Sequence, residues 1–246
     1  MNRIAILASA IGASVAAGAG VAWATGRGSS ALALPSTVIP LVTPVITVGL
    51  AEDVLSRMEH LPLDEVTLVL HTEGGEITAC ILIADALRKF TRSTAIVPYM
   101  AFSGGTMIAL NATRLQLGRN AALSAVDPVI YGQRARHIPE RAENDLNPLH
   151  PLAQEYDSAI SRYLEDSLVA RLGMEGGPAA LARAKSVFMG QGVPHAWPIH
   201  ASQLRDIGIP VEVADSEWSK YVDAYRRAFP PQPFLVSARD PRRARR

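Results

Sequence analysis

The sequence predicts an α/β fold in which a mainly parallel sheet carries helices on both faces. Short, β-branched apolar runs alternate with segments of helical period from Val45 to Phe229, the pattern of strands joined by right-handed helical crossovers. Two of these runs end in glycine turns, His71-Thr72-Glu73-Gly74-Gly75 and Tyr99-Met100-Ala101-Phe102-Ser103-Gly104-Gly105-Thr106, and each turn opens into a helical pattern. Active groups in such sheets collect at the carboxyl ends of strands, so both turns are candidate site elements.

Taken in order, residues 1–25 read as an N-terminal hydrophobic helix that targets the chain. Arg3 precedes a run from Ile4 to Ala24 without a charged residue, and about 20 apolar residues suffice to span a bilayer. The run closes on Ala22-Trp23-Ala24, a small-x-small pattern that fits signal cleavage. The expectation is a membrane-associated protein with a single N-terminal span, the alternative being export after cleavage. Residues 26–42, frequent in Gly, Ser and Pro, read as a linker, and residues 43–229 as the folded domain.

Within that domain Val45–Val48 is a strand candidate. Val54, Leu55, Met58 and Leu61 mark a helix that Pro62 ends. The strand Val66–Leu70 leads through the first glycine turn to a helix from Ile77 to about Phe90. The strand Ala95–Val97 leads through the second to a helix over Thr106–Ala112, and a strand follows near Leu115–Leu117. Ala122 to Asn144 is polar and irregular, a loop or lid. Helices are then expected over Leu152–Leu172, Ala179–Val187, Ser202–Ile207 and Ser216–Phe229, with a strand at Ile209–Val213. Residues 230–246 form a tail rich in Pro and Arg.

Of the 246 residues 48% are hydrophobic and 19% charged, enough apolar side chains for a sizeable core. The formal charge of +1 gives no electrostatic case for nucleic acid as the main partner. Cys80 is the sole cysteine, which excludes an intramolecular disulfide and a cysteine-rich zinc site, and its apolar helical setting suits a buried thiol. No metal-ligand spacing, phosphate-binding lysine loop or dinucleotide fingerprint occurs, so neither metal nor cofactor is expected.

Ser103 is the nucleophile candidate, because a serine at a strand-to-helix turn is presented at the sheet edge and the helix N-terminus favours negative charge beside it. An ordinary N-cap serine would look the same. Gly74 and Gly75 are candidate oxyanion donors through their backbone N–H groups. For the general base the sequence offers Asp127 and His195, with His200 close behind, and Lys185 if it were desolvated. His71 and Glu73 flank the first turn, and a histidine at a strand end can equally be structural.

These segments, followed by Val126-Asp127-Pro128 and His195-Ala196-Trp197-Pro198-Ile199, resemble the serine dehydrogenase proteinase family over roughly Val45 to Val213. That family has the Clp-protease/crotonase fold and is related to signal peptide peptidase A. The resemblance implies a membrane-associated serine peptidase with Ser103 as nucleophile, Gly74 and Gly75 as oxyanion donors, peptide or protein substrates and a homo-oligomeric assembly. Four positions depart from the family pattern. Glu73 stands for a proline, Gly104 for an alanine, and Ala196 and Trp197 for an aspartate and a tyrosine. The departures at Glu73, Ala196 and Trp197 motivate one alternative, a catalytically inactive membrane scaffold of the same fold, and the same glycine turns would serve a second, a crotonase-like enzyme acting on acyl-thioesters.

Overall fold

The structure, a computed structural model, describes residues 34–142, 145–173, 177–190 and 192–230. The expected N-terminal segment and the Pro/Arg-rich tail lie outside the described residues. Among those that are described, no helix is long and apolar enough to cross a membrane.

The chain enters a five-stranded, all-parallel sheet with β1 (Val38–Val42), inside the stretch expected to be linker. Frequent Gly, Ser and Pro without a sustained period point to a linker here, yet β1 is the sheet's edge strand, where Pro40, a residue without an N–H, is tolerated. Val45–Val48, expected as a strand, leads into α1 (Val48–Glu59) instead. The Thr47 hydroxyl caps that helix by accepting the Leu50 N–H at 3.3 Å. β2 (Glu65–His71), α2 (Ile77–Leu87), β3 (Arg92–Val97), β4 (Met100–Ala101), α3 (Gly104–Asn111) and β5 (Arg114–Leu117) then follow the predicted alternation.

The described part of the stretch expected as a loop or lid, residues 122–142, is more ordered than a free loop. It holds β6 (Ala122–Leu123), a hairpin of β7 (Val129–Ile130) and β8 (Gln133–Arg134), a 3-10 turn at Ala135–His137, and β9 (Arg141–Ala142), which pairs with β10 (Asp145–Leu146). Tyr131 at φ 49° and Gly132 at φ 80° supply the two left-handed residues that a tight hairpin turn requires. α4 (His150–Leu172), α5 (Gly177–Met189), β11 (Ile199–His200), α6 (Ala201–Asp206), β12 (Glu212–Val213) and α7 (Ser216–Ala228) complete the domain.

The sheet order is β1-β2-β3-β5-β12, and a small second sheet runs β11-β6-β4. Successive residues of β2 point to opposite faces. Val66, Leu68 and Leu70 join the main core with side chains of α1 to α6, whereas Val69 packs with Val38 under Tyr221 and Val222 of α7. Helices thus cover both faces, unequally. α3 is buried along its whole length, so the turn at its N-terminus is set by the core on every side.

Candidate active site

The small sheet brings the site segments together. β4 pairs with β6 in parallel, Ala101 opposite Leu123, and β11 pairs with β6 in antiparallel, Ile199 opposite Leu123. Ser103 lies two residues beyond β4. Asp127 lies four residues after Leu123, and His195 four residues before Ile199. Their side chains meet, with His195 Nδ1 3.2 Å from Asp127 Oδ1.

Ser103 adopts φ 51° and ψ −116°, a conformation that L-residues rarely take and that the surroundings must enforce. Its N–H donates to Ser124 Oγ at 2.8 Å. Ser124 is in turn held by its N–H, which donates to Thr106 Oγ1 at 2.9 Å, and the Thr106 hydroxyl donates to the Ala101 carbonyl at 2.7 Å. Ser124 and Thr106 are fully buried. This chain of bonds ties the strand before Ser103, the helix after it and the segment leading to Asp127 into one unit. The Ser103 hydroxyl, half-buried, makes no hydrogen bond among the described residues.

The two glycine turns touch. Gly74 sits at φ +115°, and a Cβ there would stand 2.8 Å from Ser103 Cβ. Gly75 packs so tightly on the chain before α1 that a Cβ would fall 2.1 Å from the Ile46 carbonyl oxygen. The expected donor pair, Gly74 and Gly75, needs revision. The Gly74 N–H donates to Thr72 Oγ1 at 3.1 Å. The N–H groups of Gly75 and Gly104 have no protein acceptor among the described residues. They are neighbours, since a Cβ on Gly104 would lie 3.7 Å from Gly75 N. Gly104 also opens α3, whose dipole favours negative charge at that end.

The Asp127 side chain has no exposure to solvent. Burial alone would raise its carboxyl, but hydrogen bonds and charge from His195 and Arg134 outweigh burial and hold it below the usual carboxylate range. Arg134, on β8, places Nε on Asp127 Oδ2, while Nη1 donates to the Val193 carbonyl at 2.7 Å and Nη2 to the Gly190 carbonyl at 3.3 Å. His195 is also held by its own turn, in which the Trp197 N–H donates to the Pro194 carbonyl at 3.0 Å.

The remaining candidates are occupied elsewhere. Lys185 is ion-paired with Glu165 at 2.7 Å between α5 and α4, and half-exposed. His200 starts α6, with Nδ1 3.1 Å from the Ala121 carbonyl. His71 is buried against the Tyr99 ring at 5.8 Å, next to α7. Asp127 and His195 are therefore the candidates that the fold brings together, and Ser124, which accepts the Ser103 N–H, lies three residues before Asp127 in the chain. Ser124, Thr106 and Arg134 carry no sequence signal of their own.

A family model described as the ClpP-like SDH-type serine proteinases matches residues 33–233. The chain belongs to this family. Two uncharacterized proteins of Methanocaldococcus jannaschii are each 29% identical to it, over 178 and 175 residues. Each alignment takes in 68% of this chain and 60% or 59% of the relative, so the chain spans about three fifths of their length. ClpP1 from Listeria monocytogenes shares the fold, with a TM-score of 0.51 at 16% identity, covering 73% of this chain and 92% of that one.

As a ClpP-like SDH-type proteinase, the chain gives a physical reason for the glutamate in its first glycine turn. The Glu73 N–H donates to the Pro44 carbonyl at 3.1 Å, a bond that a proline in its place lacks. The match from residue 33 also takes in β1.

Proposed function

We propose that this protein is a serine peptidase with the catalytic order Ser103, Asp127, His195. Ser103 Oγ attacks a peptide carbonyl while His195 Nε2 takes the hydroxyl proton. The Asp127 carboxylate accepts the Nδ1–H, which fixes the tautomer and stabilises the imidazolium. The tetrahedral oxyanion is held by the N–H groups of Gly75 and Gly104, with Gly74 shaping the turn. Collapse expels the amine with the proton from His195, and water repeats the sequence on the acyl-enzyme. The observation that carries this reading is the contact of His195 with the fully buried Asp127, three residues beyond the serine whose hydroxyl accepts the N–H of Ser103, itself held at positive φ. The Ser103 hydroxyl and His195 close their hydrogen bond when substrate orders the site, as catalytic contacts commonly do.

Peptide or protein substrates, assembly into a homo-oligomer and a membrane tether through the charge-free run Ile4–Ala24 belong to the same proposal. The test is hydrolysis of a fluorogenic peptide library by the full-length chain. Wild type cleaves, and Ser103→Ala and His195→Ala lose turnover about 100-fold or more. A Ser103→Ala variant as fast as wild type removes Ser103 from the mechanism. Coenzyme A binding without peptide turnover would select acyl-thioester chemistry instead.

A further inference from the structure

We infer that Arg134 is a positioning residue that sets His195 against Asp127 and governs the pH at which His195 becomes a base. The inference rests on the proposed roles of those two residues and deepens them.

One guanidinium spans two elements of the site. Its Nε side grips the fully buried Asp127 carboxylate, and its Nη side grips the carbonyls of Gly190 and Val193. Those carbonyls flank the stretch between the end of α5 and the turn bearing His195. Arg136, two residues on, donates Nη1 to the Met189 carbonyl and Nη2 to Asp157 at 3.0 Å, extending the grip to the last turn of α5 and to α4. The planar fork of arginine makes such a bridge with one side chain, and lysine cannot reproduce it.

The charge has a second consequence. Asp127 faces two groups, Arg134 and His195. With the permanent cation in place, the carboxylate is compensated whether His195 is protonated or neutral, so shedding the imidazole proton does not strand a buried negative charge. Without that cation, protonated His195 becomes the sole compensation, and the neutral base is reached only at higher pH.

The test is the rate of fluorophosphonate labelling of the full-length chain between pH 5 and pH 9, for wild type, Arg134→Gln and Arg134→Lys. Wild type labels along a limb that rises with pH. Arg134→Gln labels about ten- to a hundredfold more slowly at pH 7, the scale of a misplaced catalytic group, and its limb moves up by about one pH unit. Arg134→Lys keeps the charge and loses the fork, so its midpoint stays near wild type while its plateau remains low. Wild-type rate and midpoint in Arg134→Gln overturn the inference. A slower Arg134→Gln with an unmoved midpoint also overturns it, because a merely structural tie would behave that way. If Arg134→Gln does not fold, Arg134→Lys decides alone, and a wild-type rate in it is the contradicting result. A wild-type protein that takes no label would overturn the Ser103 reading itself, a different failure.

Discussion

The Cys80 sulfur of α2 stands 2.2 Å from the position that a Cβ on residue 104 would occupy. The thiol fills the space an alanine would take at the N-terminus of α3, so the glycine that departs from the family pattern is matched by a neighbour that makes it necessary. Burial pushes the Cys80 thiol up to about 12, with Glu76 adding to the effect, so the group packs rather than reacts. Gly104→Ala should destabilise the protein by about 1–3 kcal/mol through overpacking. Cys80→Ala/Gly104→Ala should recover most of that loss. Urea titration of the two variants checks the coupling, and equal losses in both would refute it.

Ser124 is the acceptor for the N–H of Ser103, the residue held at φ 51°. Ser124→Ala leaves that N–H without its partner, a cost of about 1–3 kcal/mol when buried. Fluorophosphonate labelling should slow by about tenfold while the circular dichroism spectrum stays that of wild type. Unchanged labelling would show that the turn holds its geometry without this bond.

Asp127→Asn removes the carboxylate from between His195 and Arg134. Labelling should fall about 100-fold or more, and stability by about 3 kcal/mol because the Arg134 cation is left uncompensated. In the wild type the folded carboxyl lies below its unfolded value. Its stabilising contribution is therefore present above the unfolded value and is lost as pH falls through the lower folded value. Thermal melts from pH 2 to pH 7 should show that acid loss in wild type and a weaker one in the variant.

His71 is depressed to about 4 by burial, with Arg226 adding to the effect and Asp223 opposing it, and its Nδ1 has no hydrogen-bond partner among the described residues. The unfolded chain takes up this proton near pH 6.5 and the folded chain resists it until about pH 4, so stability falls as pH drops through that interval. His71→Phe keeps an aromatic edge against Tyr99 and should lower the midpoint temperature less than wild type between pH 7 and pH 5. An identical drop in both proteins would remove His71 as the source.

The alternation of strands and helices and both glycine turns could be read from the sequence because period and turn chemistry are local properties, and the same turn chemistry marks Ser103 as a candidate. Which N–H groups face the site could not, since that depends on the Thr72 hydroxyl capturing the Gly74 N–H. The pairing of Asp127 with His195 was visible only as two separate candidates, because distant strands must first pair, Leu123 opposite Ile199, before the segments that flank them can meet. Arg134 was hidden for a related reason. An arginine in a polar hairpin is ordinary until the fold closes a buried carboxylate over it. β1 was missed because Pro40 argues against a strand in general and is permitted only at an edge.

The central claim is that Ser103 is an activated nucleophile served by His195. Its most direct measurement is fluorophosphonate labelling of the full-length wild-type chain, with the modified residue located by peptide mass spectrometry and with Ser103→Ala and His195→Ala alongside. The account predicts a single adduct on Ser103, none on Ser103→Ala, and labelling slowed about 100-fold or more in His195→Ala. An unlabelled wild type, or an adduct that forms as fast without His195, would contradict it.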